Sequence, residues 1–406
     1  MPPSLPAPHL SPELRASIFH FTVFSTSGVA AAYFGVWMAE HGISSSQIGI
    51  INAAPVFVLL LVNIFVGKLA DRASDWRQMI ILLAIFAGVT PFGLLFVSGF
   101  VGVLIVWTLF SIPAGSLPPV VDAATLRMTE RNGTSFGSIR GWGTLGSMVA
   151  TAVTGLVAAW LGPSSFVPVL IAFALARLAL SFQLPLFRAP DRAPTIASAT
   201  PRAGKLKEVL KPWFVLPLVA FALVQATHFI ITAFAALVWK EQGVSAGVLG
   251  LLIATSPAAE AVVMFAWQRI GKRVSARQMI LAACLVTVLR WTVVAMSPPV
   301  WVLFLMQTLH SVTFAVGYLG TVHFIANWTS EDIAAEAQSF SFVLQQGMAV
   351  VALILFGWLV GMFGAAAFFV AAAMGLTGAV CVWLSLRLMP PHRMAAARDG
   401  LTTVAP

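Results

Sequence analysis

Arg77-Gln78-Met79-Ile80 and Arg277-Gln278-Met279-Ile280 are the same four letters, set two hundred residues apart. Each copy opens a long apolar run, and each follows a basic patch: "VGKLADRASDW" (66–76) before the first and "RIGKRVSA" (269–276) before the second. The match extends further back, to "HGISSSQIGIINAAP" (41–55) and "QGVSAGVLGLLIATSP" (242–257). In both, a glycine precedes a serine by two (Gly42 and Ser44, Gly243 and Ser245), a second glycine follows the first by seven (Gly49, Gly250), and a proline closes the block. The chain therefore reads as two copies of one unit.

Composition says in what solvent that unit lives. Of 406 residues, 59% are hydrophobic and 9% charged, with a mean hydropathy of +0.93, against about 25% charged residues in a soluble domain. So few charges cannot cover so much apolar surface in water. Charge-poor stretches recur, each long enough to cross a hydrocarbon layer of about 30 Å as a helix of about 20 residues. Twelve are expected, at roughly 17–38, 44–66, 77–97, 99–124, 136–160, 165–187, 212–239, 246–268, 278–297, 300–326, 335–360 and 364–388. Barrel strands would alternate every second residue, whereas "FVPVLIAFALARLALSFQLPLF" (166–187) is apolar almost throughout. The fold expected is all-α and membrane-embedded, with twelve transmembrane helices in two pseudo-symmetric six-helix bundles, residues 1–187 and 212–406, joined by the Pro- and Ala-rich basic linker 188–211.

The positive residues orient it. Of 23 Lys and Arg, 19 fall on one side if the N-terminus is cytoplasmic, three lie within helices (Arg140, Arg177, Arg290) and Lys240 alone is left outside. That asymmetry puts both termini in the cytoplasm, of a bacterial inner membrane. The first residues lack the pattern of a cleaved leader. The net charge of +9 suits an anionic lipid surface rather than nucleic acid. Cys284 and Cys381 both fall inside expected helices and suggest no disulfide framework. The expected partners are membrane lipids and a small-molecule substrate, and the chain is expected to act as a monomer. No metal cluster and no nucleophile with an oriented base is visible, so no enzyme chemistry is expected. The only cofactor-like species is a co-transported proton.

Ionisable groups within the spans mark function, because an unshielded charge at the bilayer centre costs several kcal/mol. His228, Glu260, Arg290 and His310 fall one each on helices seven to ten, near mid-depth. A carboxylate, an arginine and two histidines can pass one proton between paired and unpaired arrangements, so these four are the expected proton-coupling set. Asp122 and Arg140, near the inner ends of helices four and five, are expected to pair as a cytoplasmic gate, or alternatively to bind an anionic head group. Gly67, Asp71 and Arg72 at the end of helix two belong to the same gate. Trp142, Gln225, Trp291 and Gln307 are candidate substrate contacts. Arg177 is expected to snorkel to the cytoplasm, and His20 to be a helix-end residue. Gly141, Gly143 and Gly146 are expected to allow close helix packing.

The stretch 67–77 resembles the signature between helices two and three of the major facilitator superfamily. Phe136-Gly137-Ser138-Ile139-Arg140-Gly141-Trp142-Gly143, Gln225-Ala226-Thr227-His228, Ala259-Glu260, Arg290-Trp291 and Gln307-Thr308-Leu309-His310 resemble the phenylpropionate permease family of that superfamily, relatives of the nucleoside proton symporters. The lactose permease is similar at greater distance, and by that resemblance Glu260 carries the proton, Arg290 partners it and His310 belongs to the relay. Thr313 and Phe314 stand where that permease's relay has a further carboxylate, so the relay differs. His228 stands where it has acidic residues, which argues against a sugar. The resemblance implies a proton-coupled importer of an aromatic carboxylate; a proton-driven exporter of drugs or metabolites, or a symporter of a nucleoside or sugar, is the alternative.

Overall fold

The computed structural model describes residues 10–188, 210–270, 274–329 and 331–388. Twelve long helices carry them: α1 (Pro12–Glu40), α2 (Ser45–Arg72), α3 (Trp76–Val89), α4 (Gly99–Asn132), α5 (Phe136–Leu161), α6 (Phe166–Ser181), α7 (Pro212–Glu241), α8 (Ala246–Ile270), α9 (Ala276–Ala295), α10 (Val300–Trp328), α11 (Glu331–Phe363) and α12 (Phe368–Leu388). Eleven stretches are long and apolar enough to cross a membrane, and the last of them, Ala337–Leu388, is broken into α11 and α12 by a turn at Gly364, where φ is 53°. Only glycine takes that backbone without strain.

Among the boundaries that differ from the hydropathy reading, two have a visible physical reason. α4 continues past the apolar run to Asn132 and stops at Gly133, which is left-handed. Its last turns are polar, with Arg127 and Glu130 paired at 3.2 Å, so the backbone hydrogen bonds outlast the hydrophobic signal. α6 does the reverse and ends at Ser181. Residues 182–188 leave the helix and are held by side chains from elsewhere: Arg77 and Arg15 donate to the Phe182 and Gln183 carbonyls, and Arg131 to the Phe187 carbonyl.

The repeated letters serve the same purpose twice. Asp75 caps α3 by accepting the Arg77 N–H, and Ser275 caps α9 in a box closed by Gln278. Met79 and Ile80, like Met279 and Ile280, are buried. Arg77 donates to the Phe182 carbonyl just beyond α6, and Arg277 to Ser385 Oγ on α12. Each copy thus starts a third helix, buries its first turn and ties it to a sixth.

The chain divides into two compact units, Met1–Trp37 with Val58–Ile196 and Met38–Phe57 with Ala197–Pro406. Segment 38–57 joins the second because Glu40 pairs with Lys240 and because Gly49 lies against α11. A methyl group on Gly49 would stand 2.5 Å from the Leu353 carbonyl oxygen. The core of the first unit packs Phe19, Met79, Ile80, Leu117, Val121 and Phe187; that of the second packs Phe214, Phe221, Ile280, Ala283, Phe324 and Ile325. The expected linker 188–211 lies outside the described residues except for Arg188, Leu210 and Lys211, as does the second basic patch at Gly271, Lys272 and Arg273.

Candidate functional site

In the second unit the four ionisable residues expected on α7 to α10 meet in one polar cluster, with Thr313 as its hub. His228 Nε2 lies 3.1 Å from Thr313 Oγ1, and Arg290 donates to the same oxygen at 3.3 Å. Arg290 also donates to Gln307 Oε1 at 2.6 Å, and Gln307 in turn donates to the Leu252 carbonyl of α8. His310 Nε2 stands 3.6 Å from Glu260 Oε2, and the His228 and His310 rings meet edge to face with centroids 4.7 Å apart. A charged guanidinium with no exposed surface is tolerable in a bilayer only with such polar company.

α10 makes this geometry by departing from α-helical winding. Over Ser311–Val316 it widens into a π turn, in which the Val312 carbonyl accepts from the Gly317 N–H five residues on. Turns of this kind recur at functional sites because they re-aim side chains. This one brings Thr313 toward Arg290 and His228, and stacks His310, Phe314 and Tyr318 as an aromatic ladder with centroids 5.3 and 6.4 Å apart.

Exposure sorts the members by what they can do. Arg290 is fully buried, its guanidinium 4.4 Å over the Trp291 ring, and Gln307 is 2% exposed. The Glu260 and His310 side chains keep 23% and 14% of their surface. Gln225 is half-buried, with an Oε1 that has no hydrogen-bond partner. Trp291 is also fully buried and stacks on Phe368. Its place among the substrate contacts is corrected: it packs under Arg290. Trp142 of α5 is 44% exposed.

In the first unit Asp122 and Arg140 pair as expected, with Arg140 Nε 3.2 Å from Asp122 Oδ1 and 3.3 Å from Oδ2. The guanidinium also stacks 4.0 Å over Phe24 of α1. Gly143 makes the room, since a methyl there would meet the Phe24 ring at 2.6 Å; at Gly146 it would lie 1.8 Å from the Phe21 carbonyl oxygen. Gly141 faces no such contact, so close packing explains only two of the three glycines.

Two readings are corrected. His20 is not a helix-end residue: it is fully buried in α1, with Nε2 3.1 Å from Thr125 Oγ1 and Nδ1 3.8 Å from Asp122 Oδ1. Arg177 does not snorkel. It is fully buried and donates to Thr26 Oγ1 and to the Ala87 carbonyl, which hold the head group against α1 and α3 although α6 ends only one turn later, at Ser181. Of the gate residues at the end of α2, Arg72 is exposed, while Gly67 and Asp71 are described only as part of the helix. The aspartate of that stretch with described bonds is Asp75, which accepts from Phe187 and Arg188 N–H at 2.9 and 2.8 Å. Sequence reasoning set Asp75 in the charged patch after α2 and Thr313 where the permease relay has a carboxylate, without their present partners, and gave Thr125 no place; His20, an ionisable residue in "ASIFHFTVF", met the rule that singled out His228.

A model of the MFS_1 like family matches residues 14–371. The chain belongs to this major facilitator family. It is 26% identical over 365 residues to the "Probable 3-phenylpropionic acid transporter" of Escherichia coli (strain K12), covering 88% of this chain and 93% of that protein. It is 28% identical over 295 residues to the maltose permease of Geobacillus stearothermophilus, covering 71% and 72%. Among solved structures, the nucleoside transporter NupG superposes with a TM-score of 0.78 at 15% identity, over 93% of this chain and 99% of that one. The protein is thus an all-α, multi-spanning membrane protein of the major facilitator fold, a secondary-active transporter of a small organic solute and not an enzyme.

Proposed function

We propose that this major facilitator protein is a proton-coupled symporter that imports a neutral, hydroxyl-bearing solute of the nucleoside or sugar class. The observation that carries this is the sorting by exposure in the second unit. The cation that an organic acid would seek, Arg290, is fully buried and already bonded to Gln307 and Thr313. The accessible groups are Glu260, His310 and Gln225, which offer acceptors and donors suited to hydroxyls, beside an aromatic ladder suited to a ring face. The maltose and nucleoside transporters among the similar proteins support this reading over the aromatic carboxylate.

The carboxylate reading has its own support. The Arg140 side chain keeps a third of its surface, and the relative from Escherichia coli bears the name of a phenylpropionate carrier. In either case Glu260 carries the proton, with His310 as its neighbour and Arg290, held by Thr313, setting the field. Transport uses the rocking of two six-helix bundles, 1–187 and 212–406, both termini are cytoplasmic, and Asp122 with Arg140 forms an inner gate. Trp142 and Gln225 remain the proposed contacts around the solute, while Gln307, 2% exposed and bonded to Arg290 and the Leu252 carbonyl, holds the cluster behind them.

Proteoliposomes given an inward proton gradient and labelled uridine, maltose or 3-phenylpropionate separate these substrates directly. One proton moving through 100 mV supplies about 2.3 kcal/mol, a roughly fifty-fold accumulation, which a protonophore abolishes. Glu260→Gln should lose that accumulation and keep exchange down the solute's own gradient, because the amide resembles the protonated acid. Undiminished accumulation by this variant would move the coupling role away from Glu260.

A further inference from the structure

The first unit holds a buried histidine that the coupling scheme does not use. His20 has no exposed surface, and its two ring nitrogens meet different neighbours. Nε2 lies 3.1 Å from Thr125 Oγ1, while Nδ1 has no hydrogen-bond partner and points at Asp122 Oδ1 from 3.8 Å. That carboxylate oxygen is itself 3.2 Å from Arg140 Nε. Asp122 therefore stands between two nitrogen groups of different kinds: a guanidinium that is always charged and an imidazole that is charged only when it holds a second proton.

We infer that His20 and Asp122 form a second proton-binding site, at which an arriving proton moves Asp122 from Arg140 toward His20. In the neutral ring with hydrogen on Nε2, that N–H donates to Thr125 and the Nδ1 lone pair faces a carboxylate. Two acceptors then confront each other, in keeping with a 3.8 Å separation and no bond. A proton from water adds to Nδ1, the Nε2–H bond to Thr125 is kept, and the confrontation becomes a charge-assisted hydrogen bond. Placing the same proton on Asp122 and donating it to Nδ1 gives the same total charge, so the pair titrates as one unit. Asp122 supplies the route, since a third of its side-chain surface is open.

The surrounding charges leave this pair to itself. His20 faces Asp122 and Thr125 from α4 and Arg140 from α5. On the α3 and α6 side of α1 the described charge is Arg177, which is occupied by Thr26 and the Ala87 carbonyl. Nearer the start of α1, Glu13 is bound by Asn132, and Arg15 donates to the Gln183 carbonyl. Once Asp122 engages His20, Arg140 loses part of its counter-charge while remaining stacked on Phe24. A proton thereby releases a partly exposed guanidinium to a polar or anionic group of the solute, in the opposite half of the sequence from Glu260.

Nitrogen NMR of ¹⁵N-histidine-labelled full-length protein in nanodiscs tests this without any solute. The chain has seven histidines, and the signal absent from His20→Gln identifies the ring. As the pH falls from about 8 to the lowest value at which the protein stays folded, His20 should pass from one protonated nitrogen to two. Asp122→Asn should abolish that transition, with the other histidine signals reporting that the variant is folded. Arg140→Gln, which removes the competitor and keeps the carboxylate, should shift the midpoint by at least about one pH unit, a ten-fold change in proton affinity. A His20 ring that stays neutral across the range overturns the inference, and so does a transition unmoved in Asp122→Asn and Arg140→Gln. Glu260→Gln should leave the His20 transition in place; its loss there would show one shared site rather than two. Because Glu260 and the transported solute play no part in the signal, a failure here is distinct from a failure of the coupling scheme.

Discussion

Thr313→Val removes one hydroxyl and changes little else, and that hydroxyl is the hub of the polar cluster. Thr313 is fully buried, with Oγ1 3.1 Å from His228 Nε2 and 3.3 Å from Arg290 Nη1. Valine keeps the shape and leaves both nitrogens without this partner. In a soluble core each orphaned group would cost about 1–3 kcal/mol, but interhelical hydrogen bonds inside a membrane protein average only about 0.6 kcal/mol, with a maximum near 1.7. The smaller scale governs here, because the helices remain inserted when their tertiary contacts fail. Two bonds then amount to about 1–3 kcal/mol. Arg290 keeps its 2.6 Å bond to Gln307, which prevents a larger loss. Purified protein heated in detergent and assayed for surviving monomer should show a melting point lowered by roughly 2–6 °C, with Thr313→Ser, which retains the oxygen, close to the parent. Proton-driven uptake should fall further than exchange, since Arg290 loses an acceptor and His228, whose Nδ1–H is committed to the Val224 carbonyl, loses the hydroxyl that donates to Nε2. A valine variant as stable as the parent, or a serine variant no better than valine, would mean that the hydroxyl does not hold the cluster together.

Neutralising either Asp122 or Arg140 should slow transport more than it weakens solute binding, and the exchanged pair Asp122→Arg with Arg140→Asp should recover part of the rate; equal losses in binding and transport would make these residues solute ligands instead of a gate. With both side chains about a third exposed, the pair itself stabilises the fold by no more than about 1 kcal/mol. Asp75→Ala removes a helix cap and the acceptor of two backbone N–H groups, for a loss of about 2–4 kcal/mol. Trypsin should then cut after Arg188 faster than in the parent, and an unchanged cleavage rate would show that Asp75 does not hold that segment.

The helices were legible in the sequence because lipid enforces one rule on every span, and most boundaries needed only the length of the apolar run. Where hydropathy stopped being the cause, it stopped being a guide. Arg127 and Glu130 extend α4 beyond the membrane, and a set of side-chain bonds from Arg15, Arg77 and Arg131 ends α6 early. His228, Glu260, Arg290 and His310 could be found one by one as charges in the wrong solvent. Thr313 could not, since a threonine in a helix carries no such signal and its place depends on a π turn that no periodicity announces. The two arginines show the complementary limit: Arg177 and Arg290 look alike in sequence, and only packing tells that one is bound to Thr26 and Ala87 while the other joins the histidines.

The π turn in α10 also fixes what a single residue is worth there. A π turn takes one residue more than an α turn to come round to the same face, so the extra residue is absorbed where it stands and the faces on either side keep their direction. Deleting one position within Ser311–Val316 would restore regular winding and leave Gly317 and Gly320 against α7 and α9, where a methyl would meet Phe221 at 2.7 Å and Met279 at 2.8 Å. The change would be confined to the turn itself and to the Thr313 hydroxyl that it aims at Arg290 and His228. Loss of one codon there would undo the polar cluster and spare the packing, with no substitution at all.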